Sequence, residues 1–202
     1  MAATPQIRIA KLRGAELEKA VPDLARLRIE VFRDFPYLYE GTLDYEKNYL
    51  QVYVKSERAA VIAAYDGKKM VGAATAIPLA DDSDYIQEPF IKNKMDVSRI
   101  FYFGESVLLK DYRGHGLGHK FFDGREEVAL SYPQFNITTF CAVQRPEDHL
   151  MRPKDYRPLD EFWKKRGYHK DESLKATFSW KDIGQKEETP KAMTYWLREW
   201  KR

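Results

Sequence analysis

The residues with the most chemical promise lie in segment 101–130, FYFGESVLLKDYRGHGLGHKFFDGREEVAL. Glu105 is a lone acid within an apolar, β-prone run over 100–109 that has the marks of a buried strand. A charge there is costly unless it faces a cleft or a partner. Burial would raise its pKa toward the useful range of a general base, acting directly or through water. The competing reading is a structural pair with an Arg or Lys. A short charged turn follows, and then Arg113-Gly114-His115-Gly116-Leu117-Gly118 opens a helix. Glycines let the backbone take positive φ and come close to a ligand. The first amides of a helix have no internal partner, and the dipole there favours anions. A pyrophosphate would sit on the amides of Gly114 through His119, with Arg113 adding a positive charge at the mouth. The plainer reading of the same glycines is a tight strand-to-helix turn with no ligand.

Three kinds of phosphate loop compete. A Walker loop needs Gly-Lys-Ser/Thr after four intervening residues, which is not present. A dinucleotide fingerprint needs G-x-G-x-x-G and usually opens a domain, whereas this is G-x-G-x-G in mid-chain. The third fits. Arg113-Gly114-His115-Gly116-Leu117-Gly118 resembles the Arg/Gln-x-x-Gly-x-Gly/Ala acetyl-CoA loop of the GCN5-related N-acetyltransferases. Glu105-Ser106-Val107-Leu108 precedes it where that family carries Glu-Leu-x-Val. Downstream, Glu161-Phe162-Trp163-Lys164-Lys165-Arg166-Gly167-Tyr168 is similar to the family's later Phe-Tyr-x-x-x-Gly-Phe segment. With the flanking elements, the resemblance covers nearly the whole chain.

The resemblance implies an α/β fold: a mixed, mostly antiparallel six- or seven-stranded sheet flanked by helices. Two of its parallel strands splay apart to admit the pantetheine arm of the cofactor. It implies acetyl-CoA as co-substrate, no metal, and direct transfer to a primary amine of a small molecule or peptide. Main-chain amides of Val107, Leu108 and Leu109 would polarise the thioester, Arg113 to His119 would hold the diphosphate, and Glu105 would be the base. Many family members place a Tyr where this chain has Trp163, to protonate the leaving thiolate. Indole is no acid at neutral pH. Trp163 then packs the pantetheine or the core, and Tyr156, Tyr168 or water supplies the proton. A thiol of pKa about 8.5 does not need much help to leave. The rival readings are a non-catalytic acyl-CoA-binding sensor or regulatory module, and a nucleotide-binding regulator.

Amine recognition is expected from an aromatic loop, Phe35-Pro36-Tyr37-Leu38-Tyr39-Glu40-Gly41. Phe35, Tyr37 and Tyr39 offer flat contact area and hydroxyls, and Glu40 would attract a cationic amine. Packing of two helices on the sheet is the alternative. Asp81, Asp82 and Asp84 are either a solvated acidic tip or an attractor for a basic acceptor; their spacing does not complete a calcium loop. His115 and His119 lie four apart, but no third metal ligand suggests itself, and they are read as loop or helix-surface residues near phosphate.

Around these residues the chain of 202 is read as one acetyltransferase domain, 1–202, with no Pro/Gly/Ser-rich linker. Apolar residues make up 44%, enough for a core. A net charge of +3 with interleaved signs does not argue for nucleic acid. No apolar run has the length of a membrane span, and no signal core opens the chain, so a cytoplasmic protein is expected. The one cysteine, Cys141, is read as a core thiol. Strands are expected over 6–12, 59–65, 70–79 and 136–143, with two short ones in 168–180. Helices are expected over 14–35, with Pro22 in its first turn, and from Thr42 onward, with Tyr45, Tyr49 and Tyr53 on one face. In the helix opened by the glycines, Leu117, Phe121, Gly124 and Val128 share a face. Residues 80–99 read as a long polar connection and 144–157 as an insert whose Arg145, Arg152 and Lys154 either reach phosphates or are solvated. Pro158 is expected to open a last helix that Gly167 ends. Met193, Tyr195, Trp196 and Trp200 predict a tail docked on the body or on a second subunit of a homodimer.

Overall fold

Two strands with almost no charge, β2 (Ala60–Asp66) and β3 (Lys69–Pro78), are buried on both faces and lie inside the sheet, one in from its β1 edge. The computed structural model describes residues 7–201. β1 (Ile7–Leu12) pairs antiparallel with β2, and the predicted strand start at Gln6 lies outside the described residues. Asp66, Gly67 (φ 57°) and the lysines after it make the tight β2–β3 hairpin.

The apolar run 100–109 is not one strand. It breaks into β4 (Ile100–Tyr102) and β5 (Ser106–Leu108). β4 pairs antiparallel with β3 and parallel with β6 (Ile137–Val143), whereas β5 pairs with β3 alone. The sheet order is β1-β2-β3-β4-β6-β8-β7, with β5 beside β3. Among the described residues, eight strands thus occupy seven positions, and only the β4–β6 pair is parallel. β7 (His169–Trp180) is one long strand with a register shift between Asp171 and Lys175, not two short ones. The tail forms β8 (Thr189–Glu199) between β6 and β7, so its aromatics dock within this chain.

Helix α1 (Gly14–Phe32) lays Leu17, Ala20, Val21, Leu24, Leu27 and Arg28 on the core. Pro22 sits inside it on the solvent side rather than in its first turn, and Phe35 lies beyond its end. Thr42 does cap α2 (Leu43–Tyr49): its hydroxyl accepts from the Tyr45 amide at 3.4 Å. The tyrosine ladder divides, because a break at Leu50 starts α3 (Gln51–Lys55), which holds Tyr53. The long connection contains a helix, α4 (Asp84–Lys92), packed through Ile86, Pro89 and Phe90. Its internal proline hides it from a pattern reading. α5 (Leu117–Leu130) packs on β2 and β3. A Cβ on Gly124 would sit 3.0 Å from Ile62, so the small residue does set the approach. α6 (Asp160–Lys165) ends at Gly167 (φ 84°). Among the described residues, no helix is long and apolar enough to cross a membrane.

Gly104 lies in the break between β4 and β5. A Cβ there would overlap the Tyr53 hydroxyl and come within 2.7 Å of Thr75 Oγ1. Tyr53 is buried and has little room to yield. Gly104→Ala should therefore lower the unfolding free energy by about 1–3 kcal/mol in chemical denaturation. Unchanged stability would mean that the break adjusts freely.

Candidate active site

The break decides which backbone groups are committed. Phe103 donates its amide to Thr139 O on β6 at 2.8 Å, the last main-chain link on that side. From there the chain turns to β3: Thr75 N donates to Glu105 O at 3.0 Å and Leu109 N to Val71 O at 3.0 Å. The alternation of an antiparallel ladder commits the Val107 amide to Ala73 and turns the Ser106 and Leu108 amides away from β3. They face the side that β6 has left. Of the three expected amide donors, Val107 and Leu109 are thus engaged with β3 and Leu108 is not. Ser106, half of this pair, was not singled out from the sequence.

Arg125 on α5 braces the break from one face of the sheet. Its Nη1 donates to Glu105 O at 3.3 Å, and its guanidinium lies 4.5 Å from the Phe103 ring centroid and 4.6 Å from that of Phe122. Burial pushes its pKa down to about 10. The opposite face carries Glu105, 6% exposed. Its amide donates to Thr75 Oγ1 at 3.1 Å. Arg28 Nη1 lies 2.6 Å from Glu105 Oε2, a buried ion pair. Arg28 Nε also donates to the buried Glu46, which accepts from the Tyr39 hydroxyl at 2.7 Å. Burial raises the Glu105 pKa and the Arg28 charge opposes it. Of the two readings of Glu105, the structure shows the pair with an arginine, and burial leaves its pKa raised. The signal for Arg28 was its place on the apolar stripe of α1, one turn after Leu24.

The aromatic loop is stitched to β7 and to the insert. Arg145 donates to Pro36 O and Tyr37 O, each at 2.7 Å, and to both Asp182 carboxylate oxygens at 2.8 and 2.9 Å. It is an internal clamp, neither solvated nor turned to phosphate. Trp180 Nε1 donates to Tyr37 O, and the two rings stack at 5.9 Å. Glu40 pairs with Lys181 at 3.3 Å, which meets its charge from within the chain. Phe35 takes Tyr156 edge-on at 4.7 Å, and Arg152 lies 4.9 Å over the Tyr156 ring. Burial raises the pKa of Tyr156. Cys141 faces this side too: the Tyr102 hydroxyl is 3.2 Å from its sulfur, and burial pushes the thiol up to about 12.

The glycine loop is open backbone. Gly114 (φ 82°) and Gly116 (φ 75°) both take left-handed backbone with open space where a Cβ would lie. Of the main-chain hydrogen bonds described outside the regular elements, none is donated by Gly114, His115 or Gly116. Gly116 caps α5, and Leu117 and Gly118 open its first turn. His115 is exposed, and His119 meets Phe162 edge-on at 4.9 Å. Arg113 folds back instead of guarding the loop: its Nε donates to Leu108 O at 3.1 Å and its Nη2 lies 3.3 Å from Asp34. Trp163 packs edge-on against Phe140 and Trp196, at 5.0 and 5.1 Å, so it serves the core. The Tyr168 hydroxyl is 2.9 Å from Thr138 Oγ1 and 3.1 Å from Glu126. Thr138 belongs to the part of β6 still joined to β4, so this tyrosine sits at the closed end of the splay. Its pKa is pushed up by burial and then by Glu126, and its hydroxyl is committed to Thr138 and Glu126.

The three aspartates separate. Asp81 accepts from Ser56 and Arg58, Asp84 lies exposed in the first turn of α4, and Asp82 is 7% exposed. Burial lifts Asp82 from 3.8 to about 6. The folded protein thus keeps this proton through a pH window in which the unfolded chain has lost it. The cost of ionising Asp82 in place is absent below 3.8 and complete above about 6. Asp82→Asn should raise stability at pH 7 by on the order of 2 kcal/mol, with no gain at the acid end. Denaturation curves at both pH values check it, and equal gains would show that charge is not the cause.

No family model and no curated protein matches the sequence. Solved structures do. An acetyltransferase of the GNAT family from Streptococcus pneumoniae is 14% identical, with 96% of this chain and 99% of that one covered and a TM-score of 0.59. Arabidopsis thaliana NAA60 in complex with acetyl-CoA is 14% identical, with 96% and 98% covered and a TM-score of 0.60. Ribosomal-protein-alanine N-acetyltransferase from Brucella melitensis is 11% identical, with 94% and 99% covered and a TM-score of 0.57. With its mostly antiparallel sheet, one parallel pair parting beyond Phe103 and helices on both faces, this chain has the fold of the GCN5-related N-acetyltransferases.

Proposed function

We infer that this protein is an acetyl-CoA-dependent N-acetyltransferase that passes an acetyl group directly to a primary amine of a small molecule or peptide. The observation that carries the reading is the break at 103–105. It puts the two uncommitted amides, on Ser106 and Leu108, directly after a buried carboxylate, within a fold shared with acetyltransferases. The left-handed glycines before α5 supply a diphosphate cradle a few residues further on.

When bound, acetyl-CoA supplies a thioester whose carbonyl carbon forms the new C–N bond while its C–S bond breaks and the sulfur leaves with the electron pair. The chain's own residues do the rest. Glu105, with its pKa raised by burial, takes the proton that the acceptor ammonium must lose, directly or through water. The amides of Ser106 and Leu108 are fixed donors for the carbonyl oxygen. Tyr156 is the hydroxyl left to protonate the sulfur, since Tyr168 is bound to Thr138 and Glu126. Phe35, Tyr37 and Tyr39 wall the amine side. Arg28 keeps Glu105 aimed and lowers the cost of its charge. The same proposal covers a single acetyltransferase domain over 1–202 and a cytoplasmic protein without nucleic-acid or membrane partners. A homodimer is part of it too, although the aromatic tail is already used within the chain.

The Arg28–Glu105 pair favours one rival, a non-catalytic acyl-CoA-binding module in which Glu105 is purely structural. Thiol release with acetyl-CoA and an amine panel separates the two. Glu105→Gln should lower kcat by about a hundredfold or more, while the Kd for coenzyme A by calorimetry stays within about twofold. Equal turnover in the variant across pH would remove Glu105 from the base role. No uptake of coenzyme A by the wild-type protein would end the acetyltransferase reading.

A further inference from the structure

One arginine serves two buried carboxylates. Arg28, on the inner stripe of α1, meets Glu46 of α2 through Nε and Glu105 through Nη1, the latter at 2.6 Å. All three side chains are more than nine-tenths buried. The guanidinium is held in place by rings, 4.3 Å from the Tyr49 centroid and 5.1 Å from that of Phe32. Two acids and one base leave the cluster with surplus negative charge. A pair of Arg28 and Glu105 alone would be balanced, so the second buried acid is an expense that structural pairing does not require.

Glu46 is placed for this contact. Its amide donates to Thr42 O at 3.0 Å, which seats it in the first turn of α2. Its Oε2 accepts from Arg28, and its Oε1 accepts from the Tyr39 hydroxyl at 2.7 Å. Gly41 makes room for the second bond, because a Cβ there would overlap the Tyr39 ring. Tyr39 and Arg28 together satisfy the charge of Glu46, so a proton entering the cluster is better placed on Glu105. Burial raises the Glu105 pKa, the Arg28 charge lowers it, and the Glu46 charge raises it again.

The other groups around Glu105 act on it differently. Arg125 of α5 meets its carbonyl oxygen, and Thr75 of β3 takes its amide. Tyr37, Tyr49 and Tyr53 are phenols whose ionisation burial opposes. Asp82, just before α4, is a further acid in the field of Glu105 and is lifted to about 6, so it titrates close by and needs its own control.

We propose that Glu46 is a positioning residue for the base: by drawing Arg28 toward itself it withholds part of the guanidinium charge from Glu105, and so sets the pH at which Glu105 can take a proton from the acceptor amine. This deepens the acetyltransferase reading and rests on it. Glu46 acts through Arg28, with no bond made or broken on it.

The test is Glu46→Gln, which keeps an acceptor for Tyr39 and leaves Arg28 and Glu105 as a balanced pair. In thiol-release assays with acetyl-CoA the acid limb of kcat/KM should move down by about one pH unit or more. Glu46→Met, which fills a similar volume without charge, should shift it in the same direction, so the outcome does not hang on the folding of one variant. Glu88→Gln, an exposed change on α4, should leave the limb in place. The shift should persist when Asp82→Asn is added to both proteins. Carbon-13 carboxyl NMR gives a readout without cofactor: the Glu105 titration midpoint, identified by its loss in Glu105→Gln, should fall by a similar amount in Glu46→Gln. A limb and a midpoint that stay put while turnover drops equally at every pH make Glu46 purely structural and overturn the proposal. A shift that vanishes in the Asp82→Asn background overturns it too. Failure of the wild-type protein to take up coenzyme A strikes the acetyltransferase reading instead, and the NMR midpoint still decides whether Glu46 governs Glu105.

Discussion

Everything at the centre of this molecule follows from one backbone constraint: residues 103–105 cannot serve two neighbouring strands at once. Up to Phe103 the chain is bonded to β6; from Glu105 it is bonded only to β3. An unpaired buried peptide group is costly, so the crossing needs outside help. Glu105 O receives it twice, from Thr75 N and from Arg125, and Glu105 N receives it from the Thr75 hydroxyl. Arg125 reaches in from the α5 face, while Arg28 holds the Glu105 side chain on the other. The two arginines thus fix one residue from opposite sides of the sheet, one by its main chain and one by its charge.

That arrangement settles which groups are free. Where β6 diverges, the Ser106 and Leu108 amides lose their neighbour, and the carboxylate just before them is buried among aromatic rings. Strand geometry and electrostatics are therefore coupled through a single turn of chain. The same burial that makes Glu105 easier to protonate makes Asp82 costly to ionise. The cofactor side is different in kind. It relies on glycine backbone and on the start of α5, with the aromatic packing of Phe162 and Trp163 behind it.

Much of this was legible in the sequence. The glycine loop, the lone acid and the order of strand, turn and helix are local signals, and the resemblance they carry implied the sheet class. What was not legible was long-range. Nothing local says that residues 100–109 change partners halfway, because both halves are equally apolar. Arg28 and Arg125 occupy positions on helical stripes that pattern reading assigns to the core, and only their partners across the fold explain them. The α4 helix was hidden by Pro89, and β7 was divided because its charged middle reads as a turn. Arg145 looked like a surface cation, since its acceptors are the carbonyls of Pro36 and Tyr37, more than a hundred residues away.

Arg145 also separates two properties of the insert that contains it. Its contacts are with main-chain oxygens, one aspartate and the Trp180 ring, so the insert grips the aromatic loop at its beginning through this one side chain and again further on through Tyr156 against Phe35. Further along, Leu150 stands fully exposed and Met151 nearly half exposed, away from the clamp. Length and composition can drift in that outer portion while Pro36 and Tyr37 stay in register with Asp182. The fold thereby sets a fringe, Leu150 and Met151, over a hinge-pin, Arg145, and side chains on that fringe can change without disturbing the pin.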